Sequence, residues 1–323
     1  MRALLATGDT ETTGVADVDE GELAGDVLVD VTHSSINYKD GLAIGAKPGV
    51  IREWPKIAGI DLVGTVADDA AGWSAGDRVT VNGWGLGESR HGGLAERARV
   101  DLHMLTRIPD ALTDAQAAAV GTAGYTAALG VLALEDAGVR LDGAEILVTG
   151  AGGGVGSIAV QLLARAGADV TALTRRVDEI GDWLRALGAI AVEDRAELAE
   201  PGKPLQKARW DAVADAVGGV TLANALAQLR PGGHATVCGL TGGTDLPATV
   251  MPFILRGVTL HGVHSVEQPS EVRDRAWAML ADKLDLDALD AATEVVPLAG
   301  AVDAAERILA GRIRGRVVVD TRA

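Results

Sequence analysis

The feature that most constrains this chain is a glycine-rich loop inside the stretch ILVTGAGGGVGSIAVQLLARAGADVTALTRR, residues 146–176. Gly150, Gly153 and Gly156 recur at every third position between an apolar strand and a helix. Glycine allows the tight turn that brings the backbone close to a pyrophosphate, and the N-terminus of the following helix favours negative charge. An ordinary glycine-rich turn is the alternative, but the strand-loop-helix-strand context favours a dinucleotide-binding unit.

The second strand of this unit ends in basic residues, at the position where such units distinguish NAD from NADP. NAD sites usually carry Asp or Glu about 20 residues after the glycines, to bind the ribose 2′-hydroxyl. Here Thr174, Arg175 and Arg176 stand at that point, and Arg195 follows the next strand. Guanidinium groups bind a phosphate through paired hydrogen bonds, whereas a carboxylate would repel it. The sequence therefore predicts NADPH; the alternative is that the arginines are solvated and pair with the acidic residues that follow.

The remaining pattern indicates two kinds of domain. Short alternating runs broken by glycine fill the first 110 or so residues and predict a β-barrel-like domain. From residue 114, an alanine-rich helical segment with a glycine interruption leads into repeated strand and helix units, with Pro231-Gly232-Gly233 as a predicted turn. Repeated βα units are typical of an α/β fold with a doubly wound parallel sheet of Rossmann type.

Composition narrows the function further. The net charge of −16 argues against a nucleic-acid partner, because phosphates require a basic face. Cys238 is the only cysteine, so the chain has neither a disulfide framework nor a cysteine zinc cluster. No apolar run reaches the roughly 20 residues of a membrane span, and the N-terminus does not resemble a signal peptide. We therefore expect a cytoplasmic protein with no membrane partner, in which an anionic substrate needs a local arginine patch.

The histidines give no sign of a metal. Zinc alcohol dehydrogenases need Cys and His ligands near the end of the first strands. This chain has Asn37-Tyr38-Lys39-Asp40 and Gly59-Ile60-Asp61 there, and its six histidines are scattered at spacings that build no plausible zinc site. We therefore expect no metal and no Lewis-acid polarisation of the substrate.

Several segments, in order along the whole chain, resemble one family. They are SSINYKDGLAI, PKIAGIDLVGTV, GWGLGESRHGGLAERARV, VGTAGYTAALGV, VTGAGGGVGS, VCGLTGG and PFILRGVTLHGVHSV. Together they resemble the zinc-free medium-chain dehydrogenase/reductase superfamily, and NYKDGLAI, GWGLGE and PFILRGV resemble its NADPH-dependent acryloyl-CoA reductase group, once described as quinone oxidoreductases. The resemblance implies a GroES-like catalytic domain at 1–121 and 263–323, an NADPH-binding Rossmann domain at 122–262, and a homodimer.

The resemblance also implies a set of cofactor contacts. Gly152, Gly153, Gly154 and Val155 match the pyrophosphate loop, and the basic residues described above match the adenosine-phosphate end. The remaining implied contacts are at the nicotinamide, near Tyr38, Leu240, Ile254, Ser265 and Arg316. The family commonly has Asp where this chain has His264, which leaves the local hydrogen bonding open.

For catalysis we expect a hydrogen-bond donor rather than a metal. Reduction of a 2-enoyl thioester places hydride on the β-carbon and a proton on the α-carbon, and leaves enolate charge on the carbonyl oxygen. Tyr38 is the predicted donor, with Asn37 and Asp40 orienting it; packing with one satisfied hydroxyl is the alternative. Arg52 and Arg256 are predicted substrate-side cations, and Arg90 and Arg273 are further candidates for a basic patch that binds coenzyme A.

The predicted function is reduction of acryloyl-CoA, or another short-chain 2-enoyl-CoA, by NADPH. A quinone or enone reductase on the same scaffold is the alternative enzyme, because both reactions need only an electron-poor alkene-like acceptor. A non-catalytic NADPH-binding protein is the alternative from a different class, since a fold alone does not prove chemistry.

Overall fold

The computed structural model describes residues 1–323 and divides them into two compact units. The first unit comprises Met1–Thr122, Ser265–Ala281 and Leu286–Ala323. The second comprises Ala123–His264 and Asp282–Asp285. The first unit is therefore assembled from the two ends of the chain, and the second from its middle.

The elements follow one another in three groups. The N-terminal group is β1 Arg2–Ala6, β2 Gly14–Asp17, β3 Val27–Ser35, α1 Tyr38–Ile44, β4 Lys56–Ile57, β5 Asp61–Val66, β6 Arg78–Asn82, β7 Arg97–Val100 and β8 Thr106–Arg107. The middle group is α2 Asp114–Asp136, β9 Glu145–Thr149, α3 Gly154–Arg165, β10 Asp169–Thr174, α4 Val177–Ala186, β11 Ala191–Asp194, β12 Trp210–Asp215, α5 Gly219–Ala227, β13 Leu229–Val237, α6 Met251–Arg256 and β14 Thr259–Gly262. The C-terminal group is α7 Ser270–Lys283, α8 Leu286–Ala291, β15 Thr293–Pro297, α9 Ala301–Leu309 and β16 Arg316–Asp320.

The second unit is built on a six-stranded sheet in the order β11-β10-β9-β12-β13-β14. Every neighbouring pair is parallel. Leu147, Leu173 and Val213 lie in its buried core, as expected for strands covered on both faces. The predicted Rossmann-type parallel sheet is confirmed. Because the order runs outward in both directions from β9 and β12, the topological switch point lies between these two strands.

One turn prediction was wrong in detail. Pro231-Gly232-Gly233 does not precede the strand but lies within β13. The partner strand pairs Trp210 with Leu229 and then Ala212 with His234, so the register shifts across this segment. A bulge accommodates the proline and glycines without ending the strand, because the extra residues are left out of the ladder.

The first unit is dominated by a mixed sheet in the order β15-β16-β3-β5-β6-β8, with β7 also paired to β3, and has a smaller sheet β2-β1-β4. In the large sheet β15 and β16 are parallel, and the other pairs are antiparallel. Val29, Leu62 and Val81 fill its core. The C-terminal strand β16 pairs antiparallel with β3, matching Val318 to Ser35. The last residues of the chain thus complete a sheet begun by its first residues.

The glycine interruption predicted in the alanine-rich helix is confirmed within α2. Gly121 has φ 46° and ψ −158°, so the helical backbone breaks there. By length and composition alone α2 could cross a membrane, a test that the core helices of soluble proteins also pass, and 89% of its most apolar stretch is buried in the protein.

Candidate functional site

The glycine loop of the second unit has the geometry of a phosphate cradle. Gly150 takes φ 62°, and α3 begins at Gly154 with Gly153 as its N-cap. A Cβ on Gly156 would collide with the carbonyl oxygen of Gly150, so glycine is required where helix and strand pack closely. A Cβ on Gly153 would meet only that same oxygen, at 3.4 Å, so the loop is open at this point. The residues present therefore fit a dinucleotide pyrophosphate above the free N–H groups of α3.

Three arginines follow β10 and β11, the two strands on one side of β9, the strand that leads into this loop. Arg175 is exposed, whereas Arg176 and Arg195 are half-buried. The Arg176 guanidinium reaches the loop, because its Nη2 lies 3.6 Å from the place of a Cβ on Gly152. Burial, followed by the charge of Arg175, lowers the pKa of Arg195. A bound 2′-phosphate would relieve this repulsion between like charges.

An acidic neighbour does engage one of these arginines. Arg176 Nη1 lies 3.2 Å from Glu179 Oε1, one turn along α4. The Glu179 side chain is 63% exposed, so the pair is screened by water and contributes little to stability. A phosphate can therefore replace Glu179 as the partner of Arg176 at small cost.

The first unit holds a buried polar network centred on Asp61, which is 1% exposed. Its carboxylate accepts hydrogen bonds from Ser35 Oγ at 2.6 Å, Asn37 Nδ2 at 2.8 Å, Asn82 Nδ2 at 2.8 Å, the Thr122 backbone N at 2.9 Å and the Thr122 hydroxyl at 2.5 Å. These donors satisfy the carboxylate without water, which a buried charge requires. From the sequence, Asp61 was noted only as a residue standing where zinc alcohol dehydrogenases have ligands, and this role was not predicted.

The predicted cofactor contact Arg316 belongs to the same network. Its side chain is buried; Nε donates to the Ala119 carbonyl at 2.6 Å and Nη2 to Ser35 Oγ at 2.9 Å. Burial lowers the pKa of Arg316, while the charges of Asp61 and Asp40 raise it. Arg316 is therefore engaged in the internal network, where its charge offsets that of the carboxylates. Its contact with the cofactor stays a prediction.

This crowding explains the break in α2. A Cβ on Gly121 would lie 2.7 Å from Asp61 Oδ2, 2.8 Å from Ser35 Oγ and 3.0 Å from Arg316 Nη2. Only glycine fits, and its left-handed backbone turns the Thr122 N–H towards the carboxylate.

A second buried carboxylate fixes the start of α1. Asp40 Oδ2 accepts from the Asn37 backbone N at 2.8 Å and from Asn37 Nδ2 at 3.1 Å, and Oδ1 accepts from the Ile60 N at 2.8 Å. Burial, followed by the charge of Asp61, raises the pKa of Asp40 to about 7. The helix start is therefore tied to the segment that leads into β5.

The predicted catalytic residues divide into two kinds. Asn37 and Asp40 are buried and committed to internal hydrogen bonds, so they can position the site but do not face a substrate. Tyr38, the first residue of α1, is 37% exposed and presents its side chain to solvent. Lys39 forms an ion pair with Glu88 at 2.9 Å. Of these four residues, Tyr38 is the one whose reactive group is accessible and not committed to an ion pair.

The predicted substrate-side arginines are mostly committed to other partners. Arg256 donates to the carbonyl oxygens of Ala227, Leu229 and Gln206, which binds it to its own unit rather than to a ligand. Arg273 is buried, bonds the Asn82 and Val266 carbonyls, and stacks over Trp84 at 4.8 Å. Arg90 pairs with Asp101 at 2.9 Å. Arg52 is exposed, so it remains the best candidate in this group.

The other predicted contacts lie on both units. Leu240 and Ile254 of the second unit are 55% and 70% exposed, which leaves their side chains available to a ligand. Val155 lies in the first turn of α3, and Ser265 is half-buried in the first unit. No group of three His, Cys, Asp or Glu side chains comes together in a way that could hold a metal ion.

Comparison with known proteins places both units in one family. The description "Alcohol dehydrogenase GroES-like domain" matches residues 23–110, and "Zinc-binding dehydrogenase" matches residues 154–282. Acrylyl-CoA reductase AcuI of Ruegeria pomeroyi is 45% identical over 301 residues, 93% of this chain and 91% of the relative. The probable acrylyl-CoA reductase AcuI of Escherichia coli is 47% identical over 323 residues, 99% of each chain. The putative quinone oxidoreductase YhfP of Bacillus subtilis is 44% identical over 296 residues, 91% of this chain and 89% of the relative.

Solved structures of relatives superpose on almost the full length of this chain. The YhdH oxidoreductase of Salmonella enterica, in complex with NADP, superposes with a TM-score of 0.95 at 45% identity and covers 99% of each chain. YhfP of Bacillus subtilis, with NAD bound, superposes with a TM-score of 0.93 at 41% identity and covers 99% of this chain and 98% of that one. The two-part architecture is therefore that of the medium-chain dehydrogenases.

The arginine cluster generates a test of cofactor choice. We expect replacement of Arg175 and Arg176 by alanine to weaken NADPH binding by about 100-fold, because charge-assisted contacts to the 2′-phosphate are lost. NADH binding should change by less than about threefold, since it lacks that phosphate. Isothermal titration calorimetry with both dinucleotides measures this. Arg185→Ala, which removes an exposed arginine of α4, the helix that follows Arg176, is the matched control. Equal losses for NADPH and NADH would contradict the assignment.

Proposed function

Because the chain belongs to the medium-chain dehydrogenase/reductase superfamily, in the group that contains the acrylyl-CoA reductases, we propose that it reduces acryloyl-CoA, or a close short-chain 2-enoyl-CoA, with NADPH. The observation that carries this proposal is the 45% identity to an acrylyl-CoA reductase over 93% of the chain. The open glycine cradle and the three arginines beside it support NADPH as the cofactor.

In this reaction the protein has to position the substrate against the cofactor and to polarise the thioester carbonyl. The bound cofactor supplies hydride. The β-carbon of the enoyl group gains that hydride, the α-carbon gains a proton, and the thioester oxygen carries negative charge in between. We assign the Tyr38 hydroxyl as the hydrogen-bond donor to this oxygen, because it is the accessible polar group at the start of α1.

The buried network makes Tyr38 a precise donor. Its neighbour Asn37 is held by both carboxylates, Asp61 at 2.8 Å and Asp40 at 3.1 Å. The backbone at the start of α1 is therefore held in place, which limits the positions that the Tyr38 hydroxyl can take. In this assignment Asn37 and Asp40 act through Tyr38 and do not touch the substrate.

We also propose that the reaction needs no metal. Tyr38 takes the polarising role that zinc has in alcohol dehydrogenases, and no cluster of three metal-ligating side chains is present to hold one. The single cysteine supports a cytoplasmic location, because the fold makes no use of disulfides.

A quinone reductase is the second candidate. The putative quinone oxidoreductase YhfP is 44% identical over 91% of this chain, almost as similar as the acrylyl-CoA reductases. A quinone and an acryloyl thioester both accept hydride at a conjugated carbon and both develop charge on oxygen. The two candidates therefore differ in what binds the coenzyme A portion, for which Arg52 is the available cation.

We further propose a homodimer formed by the second unit. β14 is an edge strand, and the adjoining α6 region exposes Val250 at 67%, Met251 at 37% and Leu255 at 60%. An unpaired edge beside an apolar patch favours pairing with another chain. A second copy of this chain is the partner that we propose.

A measurement of enzyme activity distinguishes the acryloyl-CoA reductase, the quinone reductase and the non-catalytic protein. We expect the purified protein to oxidise NADPH with acryloyl-CoA at a kcat/KM at least about 100-fold above that for benzoquinone, because a site built for a thioester discriminates through its polar contacts. Loss of the absorbance of the reduced nicotinamide follows the reaction. A higher kcat/KM with benzoquinone would favour the second candidate, and tight NADPH binding without turnover of either acceptor would indicate a non-catalytic protein.

The role of Tyr38 predicts a selective loss. Tyr38→Phe should lower kcat for acryloyl-CoA by about 100-fold while KM changes little, because the hydroxyl stabilises charge that develops only in the transition state. Steady-state kinetics with matched NADPH saturation measure this. Tyr125→Phe removes the only other tyrosine hydroxyl and should retain the wild-type kcat. An unchanged kcat in Tyr38→Phe would remove Tyr38 from the mechanism.

The dimer proposal predicts the effect of one surface charge. Leu255→Asp should convert the protein to a monomer, because a charge is costly in a desolvated apolar interface. Light scattering coupled to size exclusion at micromolar concentration measures the mass. Ile190→Asp is the matched control, since Ile190 is 64% exposed elsewhere on the second unit and should leave the dimer intact. A monomeric wild-type protein would refute the proposal.

A further inference from the structure

A buried carboxylate lies at the carboxyl edge of the parallel sheet and has no part in the chemistry described above. Asp215 is the last residue of β12 and is 3% exposed. Its oxygens accept from the Thr149 hydroxyl at 2.6 Å, the Gly218 N at 2.7 Å and the Val217 N at 3.2 Å. Burial raises the pKa of Asp215, and these three hydrogen bonds lower it. All three donors are neutral, and no Lys, Arg or His forms an ion pair with Asp215.

The position of Asp215 is set by the switch point of the sheet. Backbone pairing between β9 and β12 ends at Val148 and Ala214. The hydrogen bond from Thr149 to Asp215 joins the next residue of each strand through side chains. Ligands of doubly wound sheets bind in the crevice beyond these strand ends. The Asp215 carboxylate therefore lies at the floor of that crevice.

The segment after Asp215 also adjoins the phosphate cradle. The Val217 Cγ2 lies 3.2 Å from the place of a Cβ on Gly150, the first glycine of the loop. Asp215 holds this segment by accepting from the backbone N–H groups of Val217 and Gly218. The short segment formed by Val217 and Gly218 therefore lies between the Asp215 carboxylate and the glycine loop that would bind the pyrophosphate.

The position of the arginine cluster indicates which half of a bound dinucleotide would lie near Asp215. Arg175 and Arg176 follow β10 and Arg195 follows β11, so the 2′-phosphate and its adenosine belong on that side of β9. The nicotinamide half of a bound dinucleotide would then be held on the opposite side of the loop, where β12 and β13 end. Asp215 occupies the end of β12.

The negative charge of Asp215 also acts on a residue at the end of the neighbouring strand β13. Burial, followed by the charge of Asp215, raises the pKa of Cys238, just beyond β13, to about 12. The thiol therefore remains neutral and adds no charge of its own. Asp215 is the source of negative potential at this part of the crevice.

We propose that Asp215 favours hydride donation by stabilising the oxidised cofactor relative to the reduced one. The proposal rests on NADPH being the cofactor, as in the proposed function. The nicotinamide ring is neutral in NADPH and carries a positive charge in NADP⁺. When the acceptor gains hydride on one carbon and a proton on its neighbour, the ring is left with that positive charge. A fixed buried carboxylate attracts only the charged form, so it favours the direction of reduction.

The test is the ratio of two dissociation constants. Calorimetry should show that Asp215→Asn weakens NADP⁺ binding relative to NADPH binding on the order of tenfold. A mildly alkaline pH is used because burial raises the pKa of Asp215. Asn keeps an oxygen that accepts hydrogen bonds, and Asp215→Ser serves as a second uncharged variant if Asn does not fold. Thermal melting checks the folding of each variant.

Two controls separate charge from structure. Thr149→Val removes the hydroxyl contact but keeps the carboxylate, so it should change both dissociation constants in parallel and leave their ratio unchanged. Asp211→Asn removes a carboxylate from the opposite end of the same strand and should leave the ratio at the wild-type value.

The outcomes are distinct. An unchanged ratio in a folded, uncharged Asp215 variant overturns the inference, even if acryloyl-CoA reduction by the wild-type protein is established. If the wild-type protein binds neither dinucleotide, the proposed function fails and the inference fails with it. A shifted ratio without acryloyl-CoA turnover would support the inference and contradict only the substrate of the proposed function.

Discussion

The structure of the first unit depends on satisfying one buried negative charge. An isolated carboxylate taken out of water costs far more than a folded protein can spare, so Asp61 requires a full set of donors. Those donors come from the end of β3, the cap of α1, the end of β6 and the residue after the break in α2. One charge therefore fixes the positions of segments that are far apart in sequence, and Tyr38 directly follows one of them, the cap of α1.

The two units handle charge in opposite ways. In the first unit, the carboxylates of Asp61 and Asp40 are buried together with Arg316, and the charges of opposite sign offset one another. In the second, like charges are left close together, with Arg175 beside Arg195 on one side of the crevice and Asp215 at the other. Preorganised but unbalanced charge is what a site needs in order to bind an ion of opposite sign. The overall charge of −16 gives no hint of this, because binding depends on local fields.

Local patterns predicted the fold class of both units, and the binding loop of the second, but not the buried network of the first. The glycine spacing, the βα repeats and Arg175 and Arg176 act within a stretch of about 30 residues, so the loop and the parallel sheet could be inferred from sequence. The Asp61 network joins Ser35, Asn82, Thr122 and Arg316, whose meeting depends on the tertiary fold. The visible signal was a single Asp in the apolar run IAGIDLVGTV, where a buried carboxylate must find partners. The sequence also could not show that Arg256 and Arg273 donate to main-chain carbonyls, because these contacts depend on the tertiary fold.

The pairing of β16 with β3 has a consequence for biosynthesis. All six strands of the nucleotide-binding sheet have been translated once the ribosome passes Gly262, so this unit can fold while the chain is still growing. The first unit began to emerge earlier, yet Ser35 lacks its Arg316 partner and β3 lacks its neighbour β16 until Arg316–Asp320 has been translated. The unit whose strands are synthesised first is therefore completed after the other unit, and until then the side of β3 that pairs with β16 is an open edge.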